Sequence, residues 1–311
     1  MSKKHKIVLF RYSQTGQATA IADRICEPLL EAGCEVVCKT ITPVTPYPFP
    51  WSAMEFFQVF PEARLGIACP LQPIDLNDVQ DADLVMIAGQ SWYLSWSVPL
   101  HAFFQAEEIK SYLRGRNIVV INGCRNMWVK TQQLTREYIA NAGGRYVGFI
   151  ALQDRAANLV SVITIIRWLF YNKKAATRLL PPAGVSEADI EHSAVYGKLI
   201  GEALDTGSFN ELQNRLVAEG AVTFLPSVYF IEENGYRLWG QWAKFILKKG
   251  AYGSSARRPW LRLFCCYLFF VLYVVSPIGM LFFYLTYPLR KKHLQQVKRE
   301  NSSILVMNDE C

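Results

Sequence analysis

The residues whose types and spacing could do chemistry begin at Ser13. The run Ser13-Gln14-Thr15-Gly16-Gln17-Ala18 is small, hydroxyl-rich and built around a glycine. Placed between a strand and a helix, such a run is a phosphate cradle. Backbone N–H groups at the helix N-terminus point at the anion, the Ser13 and Thr15 hydroxyls add hydrogen bonds, and Gly16 lets the backbone come close. A plain polar turn is the other reading of so short a loop. The run is not Gly-x-x-x-x-Gly-Lys, and it is not Gly-x-Gly-x-x-Gly. Two further stretches carry polar and aromatic groups in quick succession: Gln90-Ser91-Trp92-Tyr93, and Gly123-Cys124-Arg125-Asn126-Met127-Trp128.

These stretches need elements to position them. Ile7-Val8-Leu9-Phe10 is a continuous apolar run of the kind that forms a strand buried on both faces, and Ile21, Ala22, Ile25 and Leu29 then mark one side of a helix. Cys34 to Ile41, Asp83 to Gly89, Asn117 to Asn122 and Tyr146 to Leu152 supply four more strands, with helices at Val129 to Ala142 and Glu187 to Leu204. Five strands alternating with helices predict a doubly wound five-stranded parallel sheet of the α/β class. A ligand then lies beyond the strands' carboxyl ends, the edge that all three stretches share.

Residues 42 to 75 interrupt this pattern with a proline-rich, aromatic strap that has a helical patch at Ala53 to Phe60. Trp51, Phe56 and Phe57 either border the ligand pocket or pack as a strap on the domain's own surface. Residues 156 to 180 form an insertion whose core, Leu159 to Tyr171, has Arg167 as its one charge. It is too short to span a bilayer and too apolar for a free loop.

Ser13, Thr15 and Gly16 match the Ser/Thr-x-Thr-Gly-x-Thr phosphate loop of flavodoxin-like proteins, and the chain resembles that family; Ala18 departs from the pattern, with Thr19 one position late. The Trp92-Tyr93 segment before a proline-started helix is similar to the flavin-contacting loop of quinone and FMN reductases. The resemblance implies FMN as cofactor, held by Ser13, Gln14, Thr15, Gly16, Gln17, Ala18, Gln90, Ser91, Trp92, Tyr93, Gly123 and Cys124. Tyr93 and His101 would lie nearest the flavin and are the candidate catalytic residues, although Tyr93 can equally stack and His101 can face solvent. More narrowly, YSQTGQ, RWLFYNKK and PPAGVSEADI resemble dialkylresorcinol condensing enzymes over about residues 6 to 205. That implies an oxidoreductase acting on a lipid-like substrate, a cyclic diketone oxidised to a resorcinol. An electron carrier and a flavin-free membrane scaffold are the alternatives.

Of 33 Lys and Arg, twelve fall between Asn234 and Arg299, where there is no Asp or Glu, leaving 21 against 26 acidic residues elsewhere, a net of −5. Basic residues around an apolar run point to anionic lipid, and no nucleic-acid motif accompanies them. The eight cysteines show no C-x-x-C pairing, so no metal site is expected. Tyr236 to Lys249 is amphipathic and basic, and Leu263 to Leu289 carries no charge over 27 residues. The expected organisation is a flavodoxin-like domain over 1–206, a basic linker over 207–259, a transmembrane or re-entrant segment over 260–290, and a basic, then disordered tail over 291–311. Pro277 predicts a break at Ser276, and basic flanks on both sides suit a segment that dips in and returns. Only four apolar residues follow the basic N-terminus, too few for a secretory signal. The expected location is the cytoplasmic membrane, the domain on the cytoplasmic side, with a second copy of the chain an allowed partner.

Overall fold

A computed structural model of the chain describes residues 5–303. Its frame is a sheet of β1 (Lys6–Arg11), β2 (Glu35–Thr40), β3 (Leu84–Trp92), β5 (Asn117–Cys124) and β6 (Arg145–Gln153), ordered β2-β1-β3-β5-β6 and parallel throughout. This is the flavodoxin-like strand order. Ile7 to Phe10 are fully buried, as a strand covered on both faces must be. A two-stranded feature was not legible in advance: β4 (Ser95–Trp96) pairs antiparallel with the end of β3.

Helices flank the sheet in two groups. α1 (Gln17–Glu31) packs on α9 (Ala194–Thr206), while α4 (Val98–Gln105), α5 (Glu107–Leu113) and α6 (Val129–Ala142) pack on one another. The strap forms two short helices, α2 (Ala53–Gln58) and α3 (Phe60–Leu65), and the insertion is one helix, α7 (Asn158–Tyr171). The single helix expected over Glu187 to Leu204 is broken at Ser193, whose hydroxyl donates to the Ile190 carbonyl, into α8 (Glu187–His192) and α9. α10 (Leu212–Ala218) follows and covers β6.

α11 (Pro226–Leu247) begins ten residues before the amphipathic pattern does, and it is anchored by a carboxylate. α6 has no side-chain cap of its own; Glu232 of α11 accepts from the Lys130 backbone N–H in its first turn at 2.8 Å. Burial pushes the Glu232 carboxyl up to about 7, against the pull of that N–H and its Val129 neighbour.

The apolar run has no turn at its middle. Ser255 to Ser302 is one helix of 48 residues, comprising a 3₁₀ start (Ser255–Arg257), α12 (Arg258–Phe270), a π-helical turn (Val271–Val275) and α13 (Ser276–Ser302). No break occurs at Ser276-Pro277. A proline ring clashes with the carbonyl four residues earlier and lacks an N–H; the wider π turn lies directly before it, where both demands fall. Of the tail expected to be disordered, Glu300 to Ser302 end α13, with Asn301 buried, and residues 304–311, Cys311 included, lie outside the described residues.

Glu232 supplies a pH test. Its folded pKa of about 7 lies above the ordinary 4.5, so its contribution to stability is complete below about 4.5 and is lost as pH rises through about 7. Glu232→Gln removes that dependence. In thermal unfolding the variant should gain on wild type between pH 5 and 8, by about 3 kcal/mol at most.

Candidate functional site

Beyond the carboxyl ends of β1, β3 and β5 lies a cavity of about 400 Å³, within the range of small-molecule sites. Thr15, Gln17 and Ala18 form its polar end. Gly16 begins α1 with a left-handed φ of 82°, which glycine adopts without strain, and a side chain there would meet no protein atom within 4 Å.

The loop's side chains divide into committed and free. Gln14 donates to the Tyr47 and Pro48 carbonyls at 3.1 and 2.7 Å, which ties the strap down, and its own N–H donates to Gln90 Oε1 at 3.3 Å. Gln17 is bound twice to one residue: its Nε2 donates to the Val185 carbonyl at 3.2 Å, and its Oε1 accepts the Val185 N–H at 3.1 Å. Ser13 Oγ and Gln90 Nε2 are buried and have no hydrogen-bond partner among the described residues. Orphaned buried polar groups of this kind are rare and signal a missing partner. The Ala18 methyl, not Thr19, faces the cavity, so the hydroxyl absent from the loop is not replaced from the next position.

The aromatic wall comes from a hairpin that the sequence reading took as a loop. β3 continues to Trp92 and turns back through Tyr93 and Leu94, with φ of 52° and 62°. A two-residue hairpin of this hand needs positive φ at both centres, normally from glycine or asparagine. Here packing holds it: the Tyr93 hydroxyl donates to the Phe56 carbonyl at 2.8 Å, and its ring lies 5.1 Å from both Phe56 and Phe60. Trp92 meets Trp51 edge-on at 5.5 Å, and Trp51, Phe56 and Phe57 line the cavity. Ser91 Oγ is occupied by Asn122 and by Thr131 Oγ1 at 2.9 Å.

Gly123 and Cys124 are strand residues at the end of β5, and both reach the cavity. Burial pushes the Cys124 thiol far up, and its Sγ donates to the Leu152 carbonyl, so it stays protonated. Burial likewise holds the Tyr93 phenol well above its usual range. His101 is removed from the cavity. Its ring is fully buried beneath the hairpin, with Nε2 2.9 Å from Ser95 Oγ and 3.0 Å from the Ala63 carbonyl, and Nδ1 2.7 Å from the Tyr138 hydroxyl. Burial lowers its pKa to about 4. The helix start expected in solvent is instead packed in the core, and His101 has no path to a ligand there.

Arg125 was not among the candidates. It is half-buried on the cavity wall, where Nη1 donates to Asn158 Oδ1 at 2.7 Å and to the Asn158 carbonyl at 2.9 Å, with no ion pair among the described residues. Desolvation lowers its pKa to about 10, and it remains a cation. Its position directly after a central strand was the available signal. The far end of the cavity is apolar, formed by Ile165 and Leu169 of α7, Leu268 of α12 and Leu272 of the π-helical turn after it. A larger depression, about 710 Å³, lies between α3 and α11 and is lined by Arg64, Arg237, Lys244 and Lys248. It is remote from the strand ends and shares no lining residue with the cavity. Among the described residues no cluster of His, Cys, Asp or Glu could hold a metal.

No family model and no curated protein matches the chain. Among solved structures it is similar to a flavodoxin from the domain Archaea, at 12% identity and TM-score 0.38 over 64% of this chain and 98% of that one. It is also similar to a flavoprotein in complex with FMN from Lactobacillus acidophilus, at 14% and 0.39 over 48% and 93%, and to a WrbA-like flavodoxin from Agrobacterium tumefaciens, at 12% and 0.38 over 66% and 99%. The strand order carries the fold assignment.

The bridge from Gln17 to Val185 rests on Gly184. It has a φ of +81°, and a Cβ there would lie 2.7 Å from Gln17 Oε1 and 2.8 Å from the Trp168 ring. Gly207, at φ +66°, has nothing within 4 Å. Gly184→Ala should therefore destabilise by about 1–3 kcal/mol more than Gly207→Ala in chemical unfolding, since both carry the backbone penalty and the first adds overpacking.

Proposed function

We propose that the chain is a membrane-associated, FMN-dependent oxidoreductase acting on a lipid-like substrate. The observation that carries this reading is one continuous cavity with an orphaned polar end at the helix start of α1 and an apolar end built by α7 and α12. The polar end fits a phosphate: α1 presents its first N–H groups, Thr15 and the partnerless Gln90 amide line the cavity, and the buried, partnerless Ser13 hydroxyl, which does not line it, precedes Thr15 in the same loop. Ala18 offers its backbone N–H but no side-chain hydroxyl. Ser13, Thr15 and the backbone of Gly16 to Ala18 would hold the phosphate, and Gln90, Trp92 and Gly123 would border the ring system.

Bound FMN supplies a hydride acceptor and donor. The chain's own groups supply the rest. Trp51, Phe56, Phe57 and Trp92 exclude water from the cavity, which strengthens every charge interaction inside it. Tyr93 and Cys124 hold their protons and are not bases. Arg125 is the charged group on the cavity wall, so it favours a substrate that is anionic, or becomes so, at an oxygen. The finer reading comes from the resemblance alone: a cyclic 1,3-diketone bearing alkyl chains, aromatised by loss of a hydride and a proton. Its enolate oxygen is the charge that Arg125 complements, and its chains suit the α7–α12 end. An absorbance spectrum of the detergent-purified protein tests the whole. Absence of bound or bindable flavin rejects both the enzyme and the carrier; bound flavin without turnover of an alkylated diketone leaves the carrier.

Two variants follow. Ser13→Ala removes a hydroxyl that has no partner in the protein, so unfolding of the flavin-free chain should be unchanged or slightly harder, while FMN affinity in titration falls about tenfold, roughly 1.4 kcal/mol. Equal effects on both would mean that the hydroxyl is structural. Replacing Ile165 and Leu169 together by Ser should raise KM for a long-chain substrate about tenfold or more and leave FMN affinity within twofold, since both side chains line the apolar end. Unchanged kinetics would make α7 core packing only.

A further inference from the structure

We propose that α12–α13 seats the protein flat in one leaflet of a bilayer, its outer face among the acyl chains and both its ends on the side of the body. This rests on the membrane half of the reading above and is independent of the flavin.

A helix of 48 residues, with Leu263 to Leu289 uncharged, is long enough to cross. Crossing would place its ends on opposite sides. The structure ties both ends to the same body. At the start, Arg257 Nη2 lies 2.8 Å from Glu62 of α3, and Gln58 donates to the Ser254 carbonyl at 3.3 Å. At the far end, Arg136 of α6 donates to the Glu300 carbonyl at 2.7 Å, and Gln213 of α10 donates to the Ser302 carbonyl at 3.0 Å. Between them α11 runs antiparallel alongside, pairing Trp242 with Tyr267 at 5.2 Å and Phe230 with Phe283 at 5.3 Å. α11 carries Glu232, Glu233, Arg237 and Lys244, charges that are costly at mid-bilayer depth. A crossing would drag this charged helix into the hydrocarbon or strip it from its partner.

The outer face has no protein partner. Phe270, Ile278, Leu281, Phe282, Leu285 and Leu289 are all exposed, far more apolar surface than a free face carries. Its rim is cationic: Arg262, Lys291 and Lys292 are exposed at the two ends. Beside it the larger depression gathers Arg64, Arg237, Lys244 and Lys248 around Phe245, whose ring packs on Trp260 at 4.9 Å. Arg64 is buried with no carboxylate partner among the described residues; its guanidinium stacks on the Tyr236 ring at 3.3 Å, against Gly240, where a Cβ would crowd it. An apolar face inside a cationic rim complements an anionic leaflet. A second copy would bring two cationic rims together, which opposes a symmetric pair. With the helix in the plane, Phe269 is exposed on one side and lines the cavity on the other. The route for an acyl chain is then lateral, between α7 and α12.

The test uses the full chain. Ser255→Cys and Gln295→Cys, both exposed positions, mark the two ends of the helix. In intact cells an impermeant maleimide should treat the two alike, each read against the parent as background; labelling of one and protection of the other establishes a span and overturns the proposal. In flotation, the purified protein should rise with phosphatidylcholine vesicles containing phosphatidylglycerol. Leu281→Lys combined with Leu285→Lys should cut recovery at least tenfold with helical circular dichroism and flavin content kept. Unchanged flotation of that variant overturns the proposal, as does a stable dimer that ignores vesicles. Wild type that never floats also removes the membrane half of the function, whereas a protein that floats without flavin removes only the redox half.

Discussion

Gln17 binds both the N–H and the carbonyl of Val185, 168 residues away in the chain, and the roof of the cavity depends on that pair. The bonds hold the Gly184-Val185 segment against the start of α1, and Trp168 of α7 comes within reach of Gly184 as a result. From α7 the constraint passes to the strap, because the Trp51 N–H donates to the Leu169 carbonyl at 2.8 Å, and Gln14 fixes the same stretch just before it through Tyr47 and Pro48. Four segments distant in sequence thus close over one helix start. Two glutamines of the loop serve this closure, which leaves Ser13, Thr15 and the backbone for a ligand.

Burial sorts the titratable groups around this closure by charge. A phenol or thiol in an apolar wall keeps its proton and an imidazole loses one, since each avoids being charged away from water. Tyr93, Cys124 and His101 all follow that rule. Arg125 cannot: guanidinium is too basic to neutralise, so it stays a cation held by Asn158. The cavity therefore has one charged character, and it is positive. Candidates chosen for being near the ligand in sequence were judged by reactivity, whereas the structure ranks them by whether they remain charged where they stand.

The sheet was legible because its signals are local. Continuous apolar runs such as Ile7 to Phe10 and Ile118 to Ile121 identify buried parallel strands without reference to anything else. The hairpin was not, because Tyr93 and Leu94 carry no turn signal; distant aromatics, Phe56 and Phe60, hold a conformation that the local residues disfavour. His101 was misplaced for a related reason. Its ring is satisfied by Ala63, Ser95 and Tyr138, and that reach across the fold has no trace in its neighbours. The phosphate loop was readable as a type of chemistry, but which of its side chains are free required knowing that Gln14 and Gln17 are engaged elsewhere.

The C-terminal run shows the same division. Its composition and its two basic flanks are local facts, and they place both flanks on an equal footing with respect to a membrane. Pro277, read together with those flanks, suggested that the chain turns to satisfy them. A helix has another way. By widening one turn at Val271 to Val275 it absorbs Pro277 and stays straight enough to lie along α11. Ends about 70 Å apart along one helix can then be held by one body, with Glu62 at one end and Arg136 and Gln213 at the other. Equal charge at both flanks follows from lying in a plane, with no need to pass through it and return.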